Sequence, residues 1–186
     1  MADIQDPNEV IEALRTVRQA RLYSPEPVPP QTLATLLEVA RWTGSSRNTQ
    51  PWEFVVVTDP EDLRRLSQLR TPINWVAQAP MAIAIVLDGD GPSEAYDEGR
   101  VTERLLFAAR VLGLGGGIAW FGDEAKDAEA KRILGIPAER TARSVVAIGH
   151  PTTTKDHRPN PAVAGRRPLS DIVSYGRYGD HGPSDS

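Results

Sequence analysis

Two short arginine clusters hold the side chains best suited to chemistry in this sequence. The first is Arg18-Gln19-Ala20-Arg21, the second Arg166-Arg167-Pro168-Leu169. Guanidiniums three residues apart can grip one phosphate from two sides through charge-assisted hydrogen bonds. The bland alternative is a solvated basic turn in each case. If both clusters act, the second is a further phosphate clamp closing on Arg18 and Arg21. A third segment, Gly44-Ser45-Ser46-Arg47-Asn48-Thr49-Gln50-Pro51-Trp52, offers hydroxyl and amide groups that suit the edge of a heterocycle. An ordinary loop capped by its own side chains is the competing reading. The heterocycle reading is preferred, because Trp52 would anchor the loop on a core.

A fourth feature is Gly113-Leu114-Gly115-Gly116-Gly117. A dinucleotide fingerprint needs its third glycine and must open a helix after a strand. Here Ile118 follows Gly117 and the cluster follows a helical pattern, so that reading fails. There is no G-K-[ST] and hence no phosphate-binding P-loop. A helix stop and flexible turn is the preferred reading from the residues alone. The functional alternative is that backbone N–H groups approach a flat ligand. His150 and His157 lack a carboxylate at a telling spacing, and neither reads as a catalytic base. Asp97, Glu98 and Glu103 read as a solvated or interface face, and Asp123 with Asp127 likewise.

Composition narrows the classes further. The chain has 186 residues, 40% of them hydrophobic and 25% charged, which suits one globular domain spanning 1–186. No cysteine is present, so disulfides, thiolate nucleophiles and Cys-ligated metals are excluded. A formal net charge of −4 argues against nucleic acid as a partner. The longest apolar run, residues 81–87, is too short to cross a bilayer. An acidic N-terminus without an apolar stretch leaves the cytoplasm as the expected compartment.

The elements that must position these residues follow from period and punctuation. Asp6-Pro7 and Asp59-Pro60 predict helix starts, each with Asp as N-cap and Pro in the first turn. A second helix follows Pro30 with Leu33, Leu36, Leu37 and Ala40 inward and stops near Thr43-Gly44. Residues 53–58, 81–87 and 144–148 predict strands buried on both faces. A long helix spans about 93–112, with Val101, Leu105, Ala108 and Leu112 on one face. Residues 117–121 predict a short strand. Asp123 caps a helix ending at Gly135. Lys155 to Gly165 reads as a Pro-rich loop, and the tail beyond Tyr178 as mobile.

Together these segments resemble the FMN-dependent nitroreductase family, over about residues 8–173. Arg18-Gln19-Ala20-Arg21-Leu22-Tyr23 is similar to its Arg-Ser-x-Arg-x-aromatic element. Arg41 to Trp52 is similar to its Ala-Pro-Ser-x-x-Asn-x-Gln-Pro-Trp loop, with Thr43-Gly44 in place of Ala-Pro and Gln19 in place of Ser in the earlier element. Gly113-Leu114-Gly115, Leu134-Gly135-Ile136-Pro137, Ala147-Ile148-Gly149-His150-Pro151 and Arg166-Arg167-Pro168-Leu169 match further family segments in the family's order.

The resemblance implies an α+β fold, a mixed β-sheet flanked by helices on both faces, in a homodimer with flavin sites at its interface. It implies FMN as cofactor, NAD(P)H as reductant and a small-molecule electron acceptor such as a nitroaromatic or quinone. Arg18, Arg21 and Arg166 would hold the phosphate with Gln19 assisting, and Ala20 and Arg167 would belong to the same cofactor-binding segments. Ser45, Ser46, Asn48 and Gln50 of the partner chain would contact the flavin ring or ribityl chain. Ile118, Ala119, Trp120 and Phe121 would bring a backbone N–H to the flavin N5. The departures at Gln19 and Gly44 leave open a non-catalytic flavin-binding or flavin-processing protein of this fold; a reductase for another acceptor, by dehalogenation or ene reduction, is a separate alternative.

Overall fold

The structure, a computed structural model, describes residues 6–152 and 165–181. The chain forms two compact units, residues 1–156 and 157–186. In the first, helix α1 (Pro7–Thr16) is followed by α2 (Pro30–Arg41), strand β1 (Trp52–Val57), α3 (Pro60–Ser67), β2 (Met81–Leu87), α4 (Pro92–Val111), β3 (Gly115–Trp120), α5 (Glu124–Leu134) and β4 (Ser144–Gly149). The expected aspartate caps are in place: Asp6, Asp59 and Asp123 accept from the backbone N–H of Asn8, Glu61 and Lys126.

The four strands form one sheet in the order β1-β2-β4-β3, antiparallel throughout. Its parallel component is a single bridge from Gln19 to Gly116. Side chains alternate between faces, and the two faces differ in bulk. Met81, Ile83, Ile85 and Leu87 of β2, with Val146 and Ile148 of β4, pack against Leu36 and Ala40 of α2 and Val101 and Leu105 of α4. The opposite face is lined by Ala82, Ala84, Ala119, Val145 and Ala147. These small residues leave room for Trp75, Tyr23 and Phe121, together with Leu63 and Leu66 of α3. Helices thus cover both faces, and the expected α+β class holds.

Several expectations are corrected. β1 is an edge strand with Glu53 exposed and residues 54–56 only partly buried, because it pairs on one side alone. β3 starts at Gly115, two residues earlier than its side chains indicate. Leu112 caps α4 and is exposed instead of facing inward. Asp97 is buried against Arg100 and Glu98 is mostly buried against Arg143, so these two are not solvated, whereas Glu103 is exposed as expected. The Pro-rich loop expected at 155–165 lies outside the described residues up to 164, as does the tail from 182. Within 179–181, Asp180 O accepts from Tyr175 N and His181 Nδ1 lies 2.8 Å from Val173 O.

The glycines of β3 serve close packing. Segment 19–20 lies along its outer edge, with Ala20 N donating to Gly116 O at 2.8 Å. A Cβ on Gly117 would come to 2.3 Å from Ala20 O and 2.9 Å from the Trp75 ring. The flexible-turn reading of this cluster is therefore replaced by a strand that only glycine allows the neighbouring backbone to approach. Gly117→Ala is expected to destabilise the fold by about 1–3 kcal/mol through this overlap, read as a lower urea midpoint with unchanged slope.

Candidate functional site

The Arg-x-x-Arg element is fixed in its middle, tied back onto α1 at Arg18 and open at Arg21. Ala20 is buried and bonded to Gly116. Gln19 turns its side chain onto β3, where Oε1 accepts from Ile118 N at 3.2 Å. Tyr23 locks the following turn, its hydroxyl donating to Ala20 O at 2.6 Å. Arg18 donates through Nη1 to Arg15 O at 3.0 Å and Val17 O at 2.7 Å, closing the C-terminal end of α1. Arg21 is exposed and makes no hydrogen bond or ion pair with any described residue. One of the two guanidiniums is thus available at once, and the other after release of two carbonyls.

The outer edge of β3 supplies a donor beside this element. Phe121 N donates to Arg143 O. The alternation of an antiparallel ladder then turns residues 115, 117, 119 and 121 toward β4, and 116, 118 and 120 outward. Gly116 is bridged to Gln19, and Ile118 N is taken by the Gln19 side chain. The Trp120 N–H points off the same edge and meets no partner among the described residues. Ala119 and Phe121 are fully buried, so their side chains face the core. Of the stretch 118–121, the structure leaves the Trp120 backbone and its half-exposed indole for a ligand.

The loop before β1 is strained. Arg47, Asn48 and Gln50 have φ of 52°, 57° and 49°. Asn tolerates this left-handed region, whereas Arg and Gln are held there at about 1–2 kcal/mol each. Ser45 holds the loop by accepting from Gln50 N at 2.9 Å, and the buried Trp52 anchors its end in the core. The Ser46 and Asn48 side chains make no hydrogen bond with described residues and face solvent. Gly44 makes room for Arg100 of α4, whose Nη2 would lie 2.7 Å from a Cβ there. Ser45, Ser46, Ser93, Tyr96, Asp97 and Arg100 line a cleft of about 370 Å³ under this loop. Glycine at 44, where the resemblance expects proline, thus admits a guanidinium beneath the loop.

The second unit holds the other arginines. Arg166 and Arg167 are exposed, and Arg167 Nη2 donates to Asp171 O at 2.7 Å. Among the described residues, no group of three or more His, Cys, Asp or Glu is placed to hold a metal ion, and no helix is long and apolar enough to cross a membrane.

A buried polar cluster that sequence reasoning missed sits at Ser144, opposite Trp120 in the sheet. Arg143 Nη1 bonds Glu98 Oε2 at 2.7 Å and Ser144 Oγ donates to Glu98 Oε1 at 3.2 Å. Nearby Asp127 has a buried Oδ1 without a hydrogen-bond partner among the described residues. Burial pushes its carboxyl above the ordinary range, and the charges of Asp123 and Glu98 add to the push while Arg143 and Lys131 oppose it.

Known proteins resemble this chain in sequence and in fold. The nitroreductase family model matches residues 14–94, a stretch that contains both the Arg-x-x-Arg element and the strained loop. An Archaeoglobus fulgidus protein, provisionally named NADH dehydrogenase/NAD(P)H nitroreductase, is 32% identical over 156 residues, covering 80% of this chain and 88% of the relative. The NADPH-flavin oxidoreductase of Vibrio harveyi is 24% identical over 92% of this chain and 75% of its own length. The structure of an FMN-dependent nitroreductase from Clostridium difficile R20291 superposes with a TM-score of 0.78 at 25% identity, covering 90% of this chain and 99% of that one. The chain belongs to the nitroreductase family.

Asp127 gives a pH test. A carboxyl raised in the folded state contributes stability that is present below its unfolded value, about 3.9, and lost as pH rises through the folded value. Asp127→Asn is expected to raise the melting temperature at pH 7 and to change it little at pH 3.5.

Proposed function

We propose that this chain is an FMN-dependent NAD(P)H oxidoreductase that reduces small nitroaromatic, quinone or similar acceptors as a homodimer in the cytoplasm. What carries the reading is the Arg18–Arg21 element bonded directly onto the outer edge of β3, beside the unpartnered Trp120 N–H. The donor set fits FMN. An uncommitted guanidinium without a carboxylate neighbour suits a phosphate, and an open strand N–H suits a heterocycle acceptor nitrogen. FMN, when bound, supplies the two-electron relay between NAD(P)H and acceptor. Reduction of a nitro group to nitroso takes two electrons and two protons and releases water, with NAD(P)H as the electron source.

The chain's own residues then have limited roles. Arg21, joined by Arg18, holds the phosphate. The resemblance also assigns Arg166 to the phosphate and Arg167 to the same cofactor-binding segment. Gln19 fixes β3 through Ile118 and leaves the Trp120 N–H to orient the ring. Ser45, Ser46, Asn48 and Gln50 are proposed to cover the ring from the partner chain. Family relatives named for NADPH-flavin and FMN reductase activity support turnover over mere flavin storage.

Two surfaces favour self-association. α1 buries no residue within the chain, leaving Ile11 61% and Leu14 46% exposed. On α4, Tyr96 is 78% and Val111 62% exposed. Apolar side chains this open on adjacent helices suit an interface.

Anaerobic addition of NADH or NADPH to the FMN-loaded protein should bleach the flavin band, and a quinone should restore it. Persistent colour with both nicotinamides contradicts the reductase reading. Arg21→Ala is expected to weaken FMN binding by about 2–3 kcal/mol, and Arg18→Ala by less, because Arg18 must first leave the α1 carbonyls. Fluorescence titration measures both, and equal wild-type affinity in the two variants contradicts the phosphate assignment. FMN affinity should also fall on dilution below the dimer constant, since one chain lacks the covering loop. A concentration-independent constant with a monomer in sedimentation contradicts the shared site.

A further inference from the structure

Arg70 is a half-buried cation that nothing described so far employs. It lies where α3 passes into the 3₁₀ segment Thr71–Gln78. Its guanidinium carbon sits 5.0 Å from the centroid of the Trp120 ring, within cation–π range. Its stem passes over Gly122, where a Cβ would come to 3.2 Å from Arg70 Cδ. Gly122 has a φ of 119°, which only glycine adopts readily. No carboxylate of a described residue lies within ion-pair distance of Arg70, whereas Arg41, Arg64, Arg65, Arg100, Arg132, Arg140 and Arg143 all have one. Trp120 leaves 51% of its own surface open.

We infer that Arg70 and Trp120 form a recognition element for a carboxylate carried on the ring of an aromatic acceptor. This rests on the flavin reading above, which puts the reacting ring at the Trp120 backbone. An indole face stacks an aromatic ring. A guanidinium poised against that indole and lacking an acidic neighbour is free to donate two parallel hydrogen bonds to a carboxylate. Because Arg70 lies within one ring's reach of Trp120, the anion it reads must sit close to the reacting ring. The 2′-phosphate of NADPH, at the far end of a dinucleotide from its nicotinamide, fits that distance poorly. A benzoate-type acceptor, with its charge directly on the reacting ring, fits it well. Substrate choice would then be set from α3 and the following segment.

The test compares 4-nitrobenzoate with 4-nitrobenzamide, which differ in charge and little in shape, on FMN-loaded wild type, Arg70→Gln and Arg70→Lys. FMN uptake and melting temperature are measured on all three. Arg70→Gln should lower kcat/KM for 4-nitrobenzoate about tenfold, through KM, and leave the amide unchanged, the size expected for one charge-assisted contact. Arg70→Lys should recover part of the loss. Calorimetric binding of benzoate to the FMN-loaded protein should weaken in parallel. Equal losses for acid and amide, no loss for either, or a change confined to the NADPH-to-NADH ratio would overturn the assignment while leaving the flavin reading intact. A wild type that takes up no FMN would overturn the flavin reading and this assignment with it.

Discussion

The close approach of two backbones at Gly116 and Gly117 is the constraint on which the remaining structure depends. Segment 19–20 can lie on β3 only because no Cβ stands between Ala20 O and the strand. That contact fixes Arg18 and Arg21 in space without using their charges. It also spends the Ile118 N–H on Gln19 and leaves the Trp120 N–H open. Trp75, packed against Gly117 and tilted at 41° to Tyr23, backs the contact from the core side. The phosphate-binding and ring-orienting functions proposed here are thus two consequences of one packing event.

The loop at 44–50 contributes the opposite kind of feature. Its left-handed Arg47 and Gln50 store strain that the Ser45 hydrogen bond and the Trp52 anchor must offset. Strain of this sort persists where the surroundings over-determine the backbone. The exposed Ser46 and Asn48 side chains gain nothing for a lone chain. In the proposed homodimer the same loop, laid over the partner's site, gives the strain a use. The unburied α1 and the open Tyr96 face of α4 belong with that interpretation, since a lone chain leaves both helices half dressed.

Much of this architecture was legible in the residues. Asp6, Asp59 and Asp123 announced their helices because an aspartate cap acts locally. The run 81–87 gave its strand to the residue, and the arginine, loop and glycine segments gave the family. What escaped depended on distant contacts. β3 begins two residues before the span its side chains predict, because glycines carry no strand preference of their own; the backbone laid against them decides the conformation. Burial of Asp97 and Glu98 follows from Arg100 and Arg143, which no helical spacing reveals in the second case. The pairing of Arg70 with Trp120 spans fifty positions and a glycine that lets the stem pass, and no motif marks it. The 3₁₀ segment at 71–78 lacks a periodic signature, yet it sets both Trp75 and Arg70.

The most direct measurement is amide hydrogen exchange at single-residue resolution, with and without FMN. The account predicts that the Trp120 amide exchanges fast in the flavin-free protein and becomes protected on FMN addition, while Ile118, already bonded to Gln19, changes little. A Trp120 amide whose exchange is indifferent to saturating FMN would show that the outer edge of β3 is not where the flavin docks.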